Sequence, residues 1–81
     1  MKTIWFMDDW NIYQAVEFNL DSEDEELLLE VIDCEGGIMK YVIYQSDDYR
    51  KILEKKQKVL NHIAECIKED KIVELTTLQA L

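Results

Sequence analysis

Proline is absent from these 81 residues, glycine occurs only as the pair Gly36-Gly37, and there are one histidine, one arginine and two cysteines. Each scarcity closes a class of function. A single Gly-Gly pair cannot supply the glycine-rich loop that cradles a phosphate. His62 and Cys66 stand four residues apart, so on a helix their side chains can meet. A Cys–His nucleophile pair or the start of a zinc site would use that contact. No third or fourth ligand stands out, and the plain reading is a helix edge with Cys66 packed and His62 partly exposed. Cys34 and Cys66 are isolated, which indicates a reducing compartment and no disulfide framework.

Long apolar runs are also missing. Ile4-Trp5-Phe6-Met7 is stopped by Asp8-Asp9, whereas a signal peptide needs about 7–15 apolar residues and a membrane span about 20. A cytoplasmic protein without membrane association is expected. Lysine outnumbers arginine eight to one, which with the missing proline suits an AT-rich bacterial or phage genome.

Positive charge is scarce in one half only. Residues 1–45 hold eleven acidic side chains and two basic ones, Lys2 and Lys40, whereas residues 46–81 hold seven of each. The whole net charge of -9 therefore sits on the N-terminal half. Such a field repels nucleic acid and anionic membrane and attracts basic surfaces, so direct nucleic-acid binding is not expected.

What remains is an ordinary apolar share, 48%, in a chain of one-domain length. Thr3 to Met7 is β-branched and aromatic and reads as a strand. Asp8-Asp9 makes a tight turn. From Trp10 to Leu20 the pattern alternates, with Trp10, Ile12, Val16, Phe18 and Leu20 on one side, Gln14 an exception, and Asn11, Tyr13, Ala15, Glu17 and Asn19 on the other. These two segments form a hairpin. Asp21 to Glu26 is an acidic turn. Leu27 to Cys34, Glu35-Gly36-Gly37 and Ile38 to Gln45 read as a second hairpin. The rival is a helix from Glu23 to Glu35, with Ser22 as N-cap, Glu25 completing a capping box and Gly36 ending it. The strand is preferred because a Gly-Gly turn leading into Ile38 to Tyr44 wants a strand beside it. A helix then runs from Asp47 to about Asp70 behind an N-cap Ser46. Tyr49, Ile52, Leu53, Leu60, Ile63 and Ile67 form its apolar stripe, interrupted by a snorkelling Lys56. Ile72 to Thr77 is a short fifth strand before a fraying tail. The expected fold is α+β: a mainly antiparallel sheet of four or five strands with one long amphipathic helix packed on it.

Three of those strands are apolar on both faces, and such strands need both faces covered. One helix covers one face. A second helix after Ser22, closure into a small barrel, or another molecule would cover the rest; that molecule is a second copy or a foreign partner.

The acidic run Asp21, Glu23, Asp24, Glu25, Glu26, Glu30, Asp33 and Glu35 is the main functional candidate. It reads either as a mimic of a phosphate backbone, fitted to a groove lined with Lys and Arg, or as a solvated turn that keeps an edge strand soluble. An EF-hand fails here: counting from Asp21, position six is Glu26 and position twelve is Ile32, where glycine and glutamate are needed. The Asp8-Asp9 pair is a poor acid–base couple, because adjacent residues on a strand point apart and on a tight turn both face water. Trp5, Trp10 and Tyr41 are the apolar anchors to consider, since Trp and Tyr are enriched at binding hot spots. No convergent set of polar groups suggests an enzyme, and no cofactor or metal is implied.

The expected function is inhibition by binding: a small acidic protein that blocks the basic, nucleic-acid-facing surface of another protein, in the manner of phage anti-CRISPR or anti-restriction antagonists. Two alternatives stand beside it. One is an immunity protein or antitoxin that neutralises a toxin nuclease. The other is a self-associating structural or regulatory domain, a homodimer, whose acid serves only solubility.

Overall fold

In the computed structural model, which describes residues 2–81, a five-stranded sheet carries two helices on one face. The elements are β1 (Ile4–Met7), β2 (Ile12–Glu23), β3 (Glu26–Asp33), β4 (Ile38–Gln45), α1 (Tyr49–Glu69), β5 (Val73–Glu74) and α2 (Leu75–Ala80). The strand order is β4-β3-β2-β1-β5. Consecutive neighbours β1 to β4 are antiparallel, and β5 lies parallel to β1. The fold is the expected α+β class.

Local chemistry fixes the turns. Asp8 Oδ1 accepts the backbone N–H groups of Trp10 (2.8 Å) and Asn11 (2.6 Å), an Asx arrangement that reverses the chain between β1 and β2. Asp33 does the same between β3 and β4, accepting from Glu35 N (2.9 Å) and Gly37 N (2.8 Å). Gly36 takes φ 87° there, a conformation that favours glycine, and a Cβ on Gly37 would meet Asp33 Oδ2 at 2.6 Å, so the carboxylate that holds the turn would have to shift.

β2 departs from the expected alternation. Ala15 pairs with Asp33, but Glu17 pairs with Ile32, and the intervening bulge leaves Val16 without a partner. One extra residue moves every later side chain to the other face. Tyr13 and Ala15 therefore face the helices before the bulge, and Phe18 and Leu20 face them after it. Ile12, grouped with Phe18 in the sequence, lies on the opposite face. The strand also runs on to Glu23, so Asp21 to Glu23 are strand residues and the turn shrinks to Asp24-Glu25. Asp24 takes φ 51°, a conformation Asp tolerates better than most residues. The helix considered for residues 23–35 is not formed; its leucines alternate in and out of a strand.

The core is one cluster: Ile4, Phe6, Ala15, Leu27, Leu29, Val31 and Ile43 from the sheet, Ile52, Val59, Ile63 and Cys66 from α1, and Val73, Leu75 and Leu78 from the last segment. α1 begins two residues later than expected. Asp48, not Ser46, is its N-cap and accepts from Arg50 N at 3.0 Å, while Ser46 Oγ accepts from Asp48 N. The buried stripe is also rotated: Ile52, Lys55, Val59, Ile63 and Cys66 face the sheet, and Tyr49, Leu53, Leu60 and Ile67 are exposed. Lys55 is the cause. Its ammonium donates to the backbone oxygens of Gln79 (2.9 Å) and Leu81 (2.5 Å) at the C-terminal end of α2. A lysine that breaks the apolar pattern is thus buried with partners. Burial, aided by the nearby Lys58 charge, holds its pKa below the usual lysine range. The expected fraying tail is instead ordered. β5 is two residues long, and α2 bridges back to β4, where Gln79 Nε2 donates to Val42 O at 3.0 Å.

A short polar chain ties the first turn to the core. Tyr41 O–H donates to Asp8 Oδ2 (2.7 Å), and Tyr13 O–H completes the chain to the Tyr41 oxygen (2.8 Å). Partial burial alone would raise the Asp8 pKa, but the Trp10 and Asn11 amides and the Tyr41 hydroxyl outweigh it and hold the carboxyl below its ordinary value. A depressed carboxyl stabilises the fold above its unfolded pKa, about 3.9, and loses that contribution as pH falls through the folded value. Asp8→Ala should cost about 1–2 kcal/mol at pH 7. The gap between variant and wild type in thermal melts should close below pH 4. A gap that stays constant down to pH 2 would show that the Asp8 charge does not matter.

Candidate protein-binding face

Neither internal way of covering the second sheet face is used. α2 joins α1 on the same side, and β4 and β5 remain separate edges. The outer face is built from alternate residues of β1 to β4, whose cross-strand partners give its map. Row by row it reads Met7–Ile12, Trp5–Gln14, Glu17–Ile32–Ile38, Asn19–Glu30–Lys40, Asp21–Leu28–Val42 and Glu23–Glu26–Gln45. Five carboxylates and one ammonium share this face. Leu28, Ile32, Ile38 and Val42 sit between them on β3 and β4, and Trp5, Met7 and Ile12 lie beyond the bulge. Among the described residues Lys40 is the one cation of this face, at the β4 edge.

Several polar groups on the face bind each other. Asn19 Nδ2 donates to Glu17 Oε2 at 2.7 Å and lies 3.4 Å from Glu30 Oε1. Gln45 Nε2 donates to Glu26 Oε2 at 3.0 Å. These contacts orient the carboxylates without neutralising them. Asp21, as hydrogen-bond partner for the protonated form and as a like charge, holds the Glu23 carboxyl above the usual range; Asp24 adds to this and Lys40 opposes it. The crowding is an electrostatic cost that a cation arriving from outside would relieve. At the end of the sheet the acid continues around an open depression lined by Asp24, Glu25, Glu26, Gln45, Ser46 and Asp47.

The expected site residues therefore divide. Asp21, Glu23, Glu26 and Glu30 share the outer face, with Asp24 and Glu25 at its tip. Trp5 belongs to it too, 47% exposed, and Trp10 projects from the β1–β2 turn at 89%. Glu35 is exposed in the turn at the opposite end of β3. Asp33 is spent on that turn's amides. Tyr41 faces the core side, packed against Phe6 with ring centroids 5.3 Å apart, so it is no surface anchor. Glu17 was missed, because nothing in the sequence signals the bulge that turns it outward. Leu28, Ile32, Ile38 and Val42 were flagged only as strand residues with a face to spare.

Elsewhere the chemistry is quiet. Cys66 Sγ and His62 Nε2 do meet, at 3.5 Å, but burial first, and then Glu65, push the thiol pKa up. A nucleophilic thiol needs the reverse. Cys34 and Cys66 are both free thiols. Asp9 is exposed and Asp8 is engaged in its turn, so the pair does not converge on a common point. Among the described residues no group of three or more His, Cys, Asp and Glu side chains is arranged to hold a metal ion, and no helix is long and apolar enough to cross a membrane. No protein-family model, curated protein or solved structure matches the chain.

Proposed function

We propose that this chain is a binding protein that docks its outer sheet face on the basic, nucleic-acid-binding surface of another protein and blocks it. The observation that carries this reading is the composition of a face left free by both helices: Glu17, Asp21, Glu23, Glu26 and Glu30, interleaved with half-exposed aliphatic residues.

The spacing limits how far the face imitates a nucleic acid. Alternate residues on a strand are about 6.8 Å apart, whereas each strand of a duplex carries one charge per 3.4 Å of axis. The face replaces a fraction of the phosphates it would displace, and Leu28, Ile32, Ile38 and Val42 supply apolar contact in their place. Long-range attraction then speeds encounter, and the short-range apolar contact slows release. Binding should weaken with salt, but less steeply than the same partner's binding to nucleic acid.

The immobilised protein, exposed to a lysate and eluted with rising salt, should release a basic nucleic-acid-binding protein that duplex or single-stranded competitor also displaces. Retention that nucleic acid fails to compete would overturn the reading. Proton linkage gives a second check with that partner. A cationic partner favours the ionised Glu23, so protonation opposes binding. The dissociation constant should rise as pH falls from neutral through the raised Glu23 pKa, and Glu23→Gln should flatten the change.

A further inference from the structure

The exposed side of α1 has a pattern the sheet does not use. Tyr49, Leu53, Leu60 and Ile67 are between 38% and 54% exposed, and the last three recur every seven residues. Gln57 and Ala64, also exposed, stand between them. Leu53, Gln57, Leu60, Ala64 and Ile67 thus follow a 4-3-4-3 spacing, the repeat that keeps one seam of a helix against a partner helix. Ala64 allows close approach. This seam lies beside the buried stripe of Ile52, Val59 and Cys66 and is separate from the outer sheet face.

The charges along the same helix indicate what covers it. Residues 50–58 offer four basic side chains and one acidic to a partner (Arg50, Lys51, Lys56 and Lys58 against Glu54), since Lys55 is buried and engaged within its own chain. Residues 65–71 carry three acidic and two basic (Glu65, Glu69 and Asp70 against Lys68 and Lys71, the last paired with Glu69 at 3.1 Å), which leaves this end net acidic. Two copies laid parallel would set basic half on basic half. Laid antiparallel about Leu60, they set each basic half on an acidic half, and Leu53 of one copy meets Ile67 of the other. We infer that the chain forms a two-fold homodimer through antiparallel packing of α1. The seam from Tyr49 to Ile67 is about 27 Å long, and its large apolar residues are already about half-buried within the monomer. The interface therefore falls in the small class, under about 1,200 Å², and the dimer dissociates on dilution. The closed two-fold arrangement stops at two copies, unlike docking of the acidic sheet face on the basic half-helix of a neighbour, which would propagate into a chain. The inference does not depend on the proposed function.

Sedimentation equilibrium of the wild-type chain between 1 and 500 µM should show a monomer–dimer equilibrium that weakens with salt. Leu60→Glu, at a solvent-exposed position, should keep the helical circular dichroism and remain monomeric. Orientation is read by disulfide trapping in a Cys34→Ser background. Leu53→Cys mixed with Ile67→Cys should give a heterodimer crosslink, and Leu53→Cys alone should not crosslink. A wild-type monomer throughout, a species larger than a dimer, a dimer that survives Leu60→Glu, or efficient crosslinking of Leu53→Cys to itself would each overturn the inference.

Discussion

Converting Glu17, Asp21 and Glu30 together to lysine should weaken capture of the basic partner by at least about 10³-fold. Two effects combine. Loss of the steering field alone lowers association rates by about 10–10³, and like charges placed in contact cost several kcal/mol more. The three residues lie on the helix-free face, where their side chains support no core packing. The melting temperature should hold or rise, because Asp21→Lys removes the like charge that crowds Glu23. A control with Glu54, Glu65 and Glu69 reversed on α1 changes total charge equally. If both triple variants lose the partner to the same extent, net charge and not the sheet face governs binding. If neither loses it, the electrostatic reading fails.

The largest effect on stability is expected at Phe6. Its side chain is fully buried and its ring meets Tyr13 at 5.5 Å, Phe18 at 6.0 Å and Tyr41 at 5.3 Å. Phe6→Ala should cost about 3–5 kcal/mol, as large-to-small changes at such sites do. A domain of this length holds only about 4–12 kcal/mol in all. Each kcal/mol moves the midpoint by about 4–8 °C at this size, so the variant should melt at least about 12 °C lower and be partly unfolded at 37 °C. Phe6 also supports the ring of Tyr41, whose hydroxyl donates to Asp8, and that of Tyr13, whose hydroxyl meets Tyr41, so the loss should fall at the high end of the range. Urea titration gives the number directly; a loss below 1 kcal/mol would mean that the cluster repacks around the gap.

Much of this architecture is legible in the residues. The strands β1 to β4, the Asp8 and Gly36-Gly37 turns and the long helix follow from residue type, period and turn chemistry, which act within a few residues of sequence, although the expected cap Ser46 gave way to Asp48. The face without a helix is legible too, because β1, β3 and β4 carry apolar residues on both sides and only one long helix follows. The misses are places where a distant contact decides. Val16 is extruded by pairing between β2 and its two neighbours, and no local signal marks it. Lys55 reads as a surface lysine until its partners, 24 and 26 residues away, are in place. Leu75 and Leu78 are too few to announce a helix alone. The candidate face was read as a run of neighbouring acids, whereas the sheet groups them by alternation. That removes Asp33, Glu35 and Tyr41 and adds Glu17.

The late position of α1 and α2 in the chain has a consequence for synthesis. β1 to β4 are complete once Gln45 has been added, but everything that covers Leu27, Leu29 and Val31 lies between residues 49 and 80. At roughly 5–20 residues per second the ribosome needs about 2–7 s to add that stretch. Through that interval the nascent meander has two uncovered faces, one of them lined by aliphatic and aromatic side chains. The carboxylates of the other face repel the same face of neighbouring nascent chains on a polysome. The acid proposed to draw a partner in the finished protein would thus also keep unfinished copies apart.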